Sequence, residues 1–241
     1  MSSDKIIIVG GSGSIGASIA KEVIDDGLEP HLVGRNFYTL KETAEKIKCS
    51  YSVADVTNTD EFTKILKKIE GNICGVAYCV GSINLKSLSL AYENDYIDSF
   101  KVNTLGAVIA VKALKEKLIK NNGSVLLFSS IAAKQGFTNH TIVSTSKGGI
   151  EGLTVSLAAE LSPNVKVNCI APSLTESRMS ESFLSNETLK KNIESLHPIP
   201  KIGSPEDHSK LASYLLGKNN HWITGQIFNI DGGRSSVRKK G

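Results

Sequence analysis

The stretch Lys5-Ile6-Ile7-Ile8-Val9-Gly10-Gly11-Ser12-Gly13-Ser14-Ile15-Gly16-Ala17-Ser18-Ile19-Ala20-Lys21 decides the fold of this chain. Ile6 to Val9 are apolar without a break, and glycines follow at once. A run without polar alternation fits a strand buried on both faces. Gly11, Gly13 and Gly16 satisfy G-x-G-x-x-G, a weak pattern alone. Here it follows a strand and opens a helix, which is the context that gives it meaning. The glycines of Gly10-Gly11-Ser12-Gly13-Ser14-Ile15-Gly16 permit a tight turn and let backbone N–H groups approach a pyrophosphate. The helix N-terminus behind them adds partial positive charge. A glycine turn with no ligand is the bland alternative, and it would cost backbone entropy without purpose.

Outward from this point, short apolar runs alternate with longer amphipathic ones. Strands are expected at Lys5–Val9, Pro30–Val33, Ser50–Ala54, Ile73–Cys79, Ser124–Ser129, Val165–Ala171 and Gln226–Ile230. Helices are expected near 15–26, 37–47, 59–69, 91–120, 140–161 and 205–216. Regular β-α alternation implies parallel strands joined by right-handed crossovers. The expected architecture is an α/β doubly wound Rossmann fold, about seven parallel strands flanked by helices on both faces. Its ligand crevice lies at the carboxyl ends of the strands. Residues 1–233 are expected to form one NAD(P)-binding domain, with 234–241 as a basic C-terminal tail.

In this fold, an acidic residue ending the second strand accepts the ribose 2′-hydroxyl of NAD, whereas an arginine accommodates the 2′-phosphate of NADP. Here His31-Leu32-Val33 runs into Gly34-Arg35-Asn36, with no carboxylate. Arg35 offers a fork suited to phosphate, so NADP(H) is expected over NAD(H). A solvated surface arginine is the alternative. Asp55-Val56 ends the third strand, where a carboxylate can accept the adenine amino group.

The composition narrows the classes. The net charge of +4 resides in Arg234, Arg238, Lys239 and Lys240, without which basic and acidic residues balance at 24 each. The body is therefore neutral, and no nucleic-acid surface is expected. The four terminal cations are expected to form a solvated end. No apolar run approaches the ~18 residues of a membrane span, so no membrane partner is expected. Met1-Ser2-Ser3-Asp4 opens no secretory pattern, and a cytoplasmic location is expected. Cys49, Cys74, Cys79 and Cys169 form no C-x-x-C pair and read as free thiols, so no metal site is expected.

The order of these motifs resembles the short-chain dehydrogenase/reductase family over nearly the whole chain. The family's T-G-x-x-x-G-x-G aligns with Val9 to Gly16, with Val9 for Thr and Ser14 for the middle Gly. Of its N-N-A-G, aligned with Tyr78-Cys79-Val80-Gly81, only Gly81 survives. Pro172-Ser173-Leu174-Thr175 matches the segment beside the nicotinamide, and Ile223-Thr224-Gly225-Gln226 with Asp231-Gly232-Gly233 matches the last strand. The resemblance implies a homotetramer packed through the 91–120 and 140–161 helices; Val108, Ile109, Val111, Leu153 and Leu157 supply apolar faces.

Four residues carry the family's chemistry: Asn, Ser, Tyr and Lys. By resemblance, Asn103 anchors a water relay, Ser130 holds the substrate oxygen, and Lys147 binds the nicotinamide ribose. The tyrosine, the proton donor, should lie four residues before Lys147, where this chain has Val143. Valine has no ionisable group. His140, three residues earlier, would share the helix face of Val143 and Lys147, and its imidazole suits proton transfer near neutral pH. A helix-entry residue with no duty is the alternative reading of His140; Lys147 acting through a water is the other source. Residues 174–200 would cover the substrate, with Phe183, Leu184, Leu189 and Ile193 as its apolar part. The expected function is hydride transfer between NADP(H) and a small carbonyl or alcohol with a non-standard proton donor. The alternative, from another class, is a catalytically silent dinucleotide-binding sensor or scaffold.

Overall fold

The opening apolar run forms β1 (Asp4–Val9), and both of its faces are covered in the computed structural model, which describes residues 4–238. Ile6 and Ile8 pack into one core with Ile19, Val23, Leu40 and Leu215, while Ile7 and Val9 pack into a second with Phe62, Leu114, Leu118 and Ile150. Period-2 alternation sends successive residues to opposite faces, so an unbroken apolar run requires cover on both sides. Each such isoleucine, fully removed from water, contributes ~1.5–3 kcal/mol.

The remaining strands are β2 (Glu29–Gly34), β3 (Ser50–Val53), β4 (Asn72–Tyr78), β5 (Ser124–Phe128), β6 (Lys166–Pro172) and β7 (Ile227–Ile230). All pair in parallel in one seven-stranded sheet, ordered β3-β2-β1-β4-β5-β6-β7. The order reverses between β1 and β4, which opens a crevice at their carboxyl ends. Helices α1 (Ser14–Asp25), α2 (Phe37–Ile47) and α3 (Thr59–Lys68) follow the first three strands. Asn36 caps α2 through Thr39 N–H (3.1 Å), and Asn58 caps α3 through Glu61 N–H (3.5 Å). These are the residue types that satisfy orphan N-terminal donors. Beyond α6 (Thr141–Leu161) come α7 (Glu181–Leu184), α8 (Glu187–Ser195) and α9 (Pro205–Leu216), the last with a Ser204–Asp207 capping box.

The helix expected over 91–120 is not continuous. It divides into α4 (Glu93–Phe100), a π-turn at Lys101–Leu105, and α5 (Gly106–Lys120). The Gly106 N–H reaches back five residues to Lys101 O. The cause lies in the sheet. The buried Tyr78 hydroxyl, at the end of β4, donates to Val102 O at 2.6 Å. A Cβ at Gly106 would collide with that same tyrosine. The π-turn therefore fits around Tyr78 and carries Asn103 inward. Such turns are frequent at functional sites.

Two other expectations shift. Val111 is buried in the chain's own core and cannot face a partner, whereas Ile109, Leu153 and Leu157 stay partly buried at its margin. Of the expected cationic tail, Arg234 sits in a turn, its N–H donating to Asp231 O (3.1 Å), and is half-buried. Lys239, Lys240 and the side chain of Phe183 lie outside the described residues. Tyr78→Phe should lower unfolding free energy in urea by ~1–3 kcal/mol, because the buried Val102 carbonyl loses its donor. Unchanged stability would mean that carbonyl is satisfied otherwise.

Candidate active site

A cavity of about 580 Å³ opens at the carboxyl ends of β1, β4, β5 and β6. The glycine turn forms its floor. Gly10 has φ +84°, and a Cβ there would stand 3.0 Å from the backbone of Cys79 and Val80. A Cβ on Gly16 would meet Gly10 O at 2.5 Å. The turn is closed by Gly10 N–H to Val33 O (2.7 Å) and Gly13 N–H to Gly10 O (2.9 Å). No side chain caps α1, unlike α2 and α3, and Ser12 to Gly16 line the cavity. An uncapped helix N-terminus opening on a cavity fits a phosphate group. Gly10 and Gly11 lie beneath the lining, as the tight part of the turn.

The opposite wall comes from β5 and α6. Lys147 lies buried, and its Nζ donates to Phe128 O at 2.8 Å. Burial pushes this ammonium down to about 8, since a low-dielectric setting disfavours the charged form. Asn103 is fully buried; its amide donates to Ser99 O (2.9 Å) and Ser82 Oγ (3.0 Å), and its Oδ1 accepts from Ser82 N–H (3.2 Å). Gly81 lies between the two: a Cβ there would come 3.1 Å from Asn103 Oδ1 and 3.3 Å from Lys147 Nζ. That squeeze gives a physical reason why the glycine of this loop remains although its neighbours differ from the family pattern.

Ser130 follows β5, and its Oγ accepts from Ala132 N–H (3.2 Å), which leaves the hydroxyl proton for another acceptor. Val143, Lys147 and His140 all line the cavity, Val143 being almost fully buried. His140 stands at the N-cap of α6, and its Nδ1 hydrogen-bonds Thr138 O at 2.7 Å. A carbonyl only accepts, so Nδ1 carries the proton and Nε2 is left for the cavity side.

Pro172, Ser173, Leu174 and Thr175 line the third wall. Sequence reasoning missed what stands behind them. Ser173 Oγ bonds the buried His197 (2.8 Å), and Thr175 Oγ1 bonds the buried His208 (2.8 Å). Burial pushes His208 down to about 4, so it is neutral at pH 7. Arg178 and Arg234 also line the cavity, the first donating to Ser12 O at 3.2 Å. These partners lie 24 to 166 residues apart in sequence, a separation that no local spacing encodes. Of the expected apolar cover, Ile193 lines the cavity and Leu189 is exposed.

Arg35, Asp55 and Val56 do not line the cavity. Arg35 is exposed just past β2, beyond Gly34, whose Cβ position lies 3.6 Å from Ser12 Oγ. Asp55 accepts from the Thr57 hydroxyl (2.7 Å) and N–H (2.8 Å), which hold its carboxyl below the usual range, with Arg35 adding to the effect. Val56 is buried against the Gly106 position. Among the described residues, no cluster of His, Cys, Asp or Glu could hold a metal ion, and no helix is long and apolar enough to cross a membrane. All four cysteines are free, Cys49 and Cys79 being only partly buried.

A family model described as enoyl-(acyl carrier protein) reductase matches residues 10–235. A 3-oxoacyl-[acyl-carrier-protein] reductase of Rickettsia bellii is 28% identical, over 98% of this chain and 99% of its own. A short-chain type dehydrogenase/reductase from Mycobacterium ulcerans superimposes with a TM-score of 0.92 at 25% identity, over 98% of this chain and 90% of its own. The NADP-bound structure of ElxO gives 0.91 at 25% identity, over 98% and 100%. A match running from the glycine turn past the last strand, on a shared seven-stranded sheet, makes this chain a member of the short-chain dehydrogenase/reductase family of oxidoreductases.

Proposed function

We propose that this protein moves a hydride between NADP(H) and a small carbonyl or alcohol, with a proton donor other than tyrosine. The observation that carries this is the gathering of Ser130, Lys147, His140 and Val143 on one wall, facing an uncapped glycine-rich helix N-terminus across the same cavity. When bound, the dinucleotide would supply the hydride in carbonyl reduction and accept it in alcohol oxidation. The chain's own residues then have separable tasks. The N–H groups of Ser12 and of Ser14 to Gly16 hold the pyrophosphate. Lys147, placed by Phe128 O, Gly81 and Asn103, holds the nicotinamide ribose. The Ser130 hydroxyl donates to the substrate oxygen. Val143 shapes the pocket and carries no proton. His140 Nε2 gives or takes the proton, a contribution of ~10²–10⁴ in rate. Asp55 and Val56 stand at the adenine end.

NADP(H) is preferred over NAD(H) in this reading. Arg35 follows β2 with no carboxylate at that point, and ElxO, similar over 98% of this chain, has NADP bound. The assembly is a homotetramer, supported by the partly buried Ile109, Leu153 and Leu157 and the exposed Val155 on α5 and α6. Closed symmetry is the usual way to cover such faces.

Four outcomes are expected. Arg35→Ala should weaken NADPH binding by calorimetry by ~1.5–3 kcal/mol, one charge-assisted phosphate contact, and leave NADH binding unchanged. Equal losses for both nucleotides would reject the assignment. Sedimentation at micromolar concentration should give a tetramer; a monomer refutes the assembly. His140→Ala should lower turnover of ketones ~10²-fold or more with NADPH affinity intact. Val143→Tyr should raise it, because a phenol beside an ammonium is an activated acid. Activity surviving in His140→Ala would leave a water held by Lys147 as the donor. Activity found only in Val143→Tyr would make the natural protein a silent binder.

A further inference from the structure

Arg234 lines the cavity wall, and hydride transfer does not explain it. Its guanidinium lies over the Phe137 ring, 4.8 Å from the centroid, and Phe137 in turn packs on His140 with centroids 5.2 Å apart. One Nη stands 3.5 Å from Ser173 Oγ. Arg234 thus stands on the side of the cavity that carries Ser173 and, through Phe137, His140.

Its placement is built. Gly232 (φ +60°) and Gly233 (φ +86°) turn the chain back after β7. The Asp231 carboxylate holds that turn through Gly233 N–H (2.9 Å) and Ser235 N–H (2.8 Å). Gln135 Nε2 donates to Arg234 O (3.1 Å). The hydroxyl that faces the guanidinium is itself oriented. His197 Nδ1 bonds Ile193 O (2.8 Å), so in the neutral ring Nε2 accepts from Ser173 Oγ (2.8 Å). The lone pairs of Ser173 then face Arg234. Asp231 is spent on backbone donors, and no carboxylate of the described residues forms an ion pair with Arg234. A half-buried cation with no paired carboxylate is costly: burial pulls the Arg234 pKa below its ordinary value, and the nearby Asp231 charge offsets this only in part. A planar fork of N–H donors matches a carboxylate with two parallel bonds.

We infer that Arg234 and Ser173 form a subsite for a carboxylate on the substrate, so that the protein acts on a small oxo or hydroxy acid. This deepens the reading above and rests on it for the place of the reacting carbon.

The test uses wild-type protein saturated with NADP⁺, so that ligands bind without turnover. Pyruvate, acetoacetate and levulinate are each titrated against their methyl esters by calorimetry, with dihydroxyacetone phosphate as a further arm. At least one acid should bind tenfold or more tightly than its ester. Arg234→Met should abolish that preference, and Arg234→Lys should keep part of it, with NADP⁺ affinity unchanged in both. Equal binding of acid and ester, no binding of any acid at millimolar concentration, or a preference intact in Arg234→Met overturns the inference. The wild-type comparison stands even where a variant fails to fold. Tighter binding of the phosphate than of every acid overturns the carboxylate assignment. NADPH oxidation by the same ketones is measured separately. If it is absent while acid binding still depends on Arg234, hydride transfer falls and the subsite stands.

Discussion

Strand β1 has no side that meets water, and the architecture follows from that constraint. Ile6 and Ile8 need cover on one face, Ile7 and Val9 on the other. Helices must then lie on both sides of the sheet. Parallel strands joined through helices provide this: the chain leaves β1 for β2 and β3 on one side, and the crossover from β3 returns to β4 on the other. The gap where they part is where the cavity opens. The glycine turn sits in that gap because it alone brings backbone against the start of the β4 loop without a Cβ between them.

The reacting end depends on a second level of packing. Lys147 is an ammonium with little water around it, and it is held there by the Phe128 carbonyl on one side and the Gly81 backbone on the other. Asn103 reaches the same point only because the α4–α5 helix slips by one residue over Tyr78. Ser99 and Ser146 complete the layer behind, with hydroxyls 2.8 Å apart, so α4, α5 and α6 are fastened together where the site needs rigidity. Val143 sits within this fastened layer without disturbing it.

Most of the fold was legible in sequence because it is written in local period. Short apolar-rich runs named seven strands, and the glycine turn marked the start of α1. The π-turn was not legible. A helix that slips by one residue keeps its apolar face, and its cause is a hydroxyl contributed by Tyr78, 24 residues earlier. Of the site, Ser12 to Gly16, Gly81, Ser130, His140, Lys147 and Pro172 to Thr175 were placed by motif and spacing, and the structure brings them to one cavity. His197, His208 and Arg234 were not seen. Buried imidazoles carry no spacing signal, and Arg234 stood in a cluster of terminal cations that composition alone reads as solvated. The two glycines before it, both at positive φ, were the cue that the chain turns back there.

The free thiols have a practical consequence. Burial pushes Cys49 and Cys74 up to about 11 and Cys79 and Cys169 up to about 12. At neutral pH all four are protonated, and a thiol reacts only as thiolate. Cys79 stays quiet even though it lines the cavity. The native sulfurs are therefore slow toward maleimide or fluorophore reagents at neutral pH. A cysteine introduced on an exposed stretch of residues 174–200 could be labelled ahead of them without removing any native sulfur.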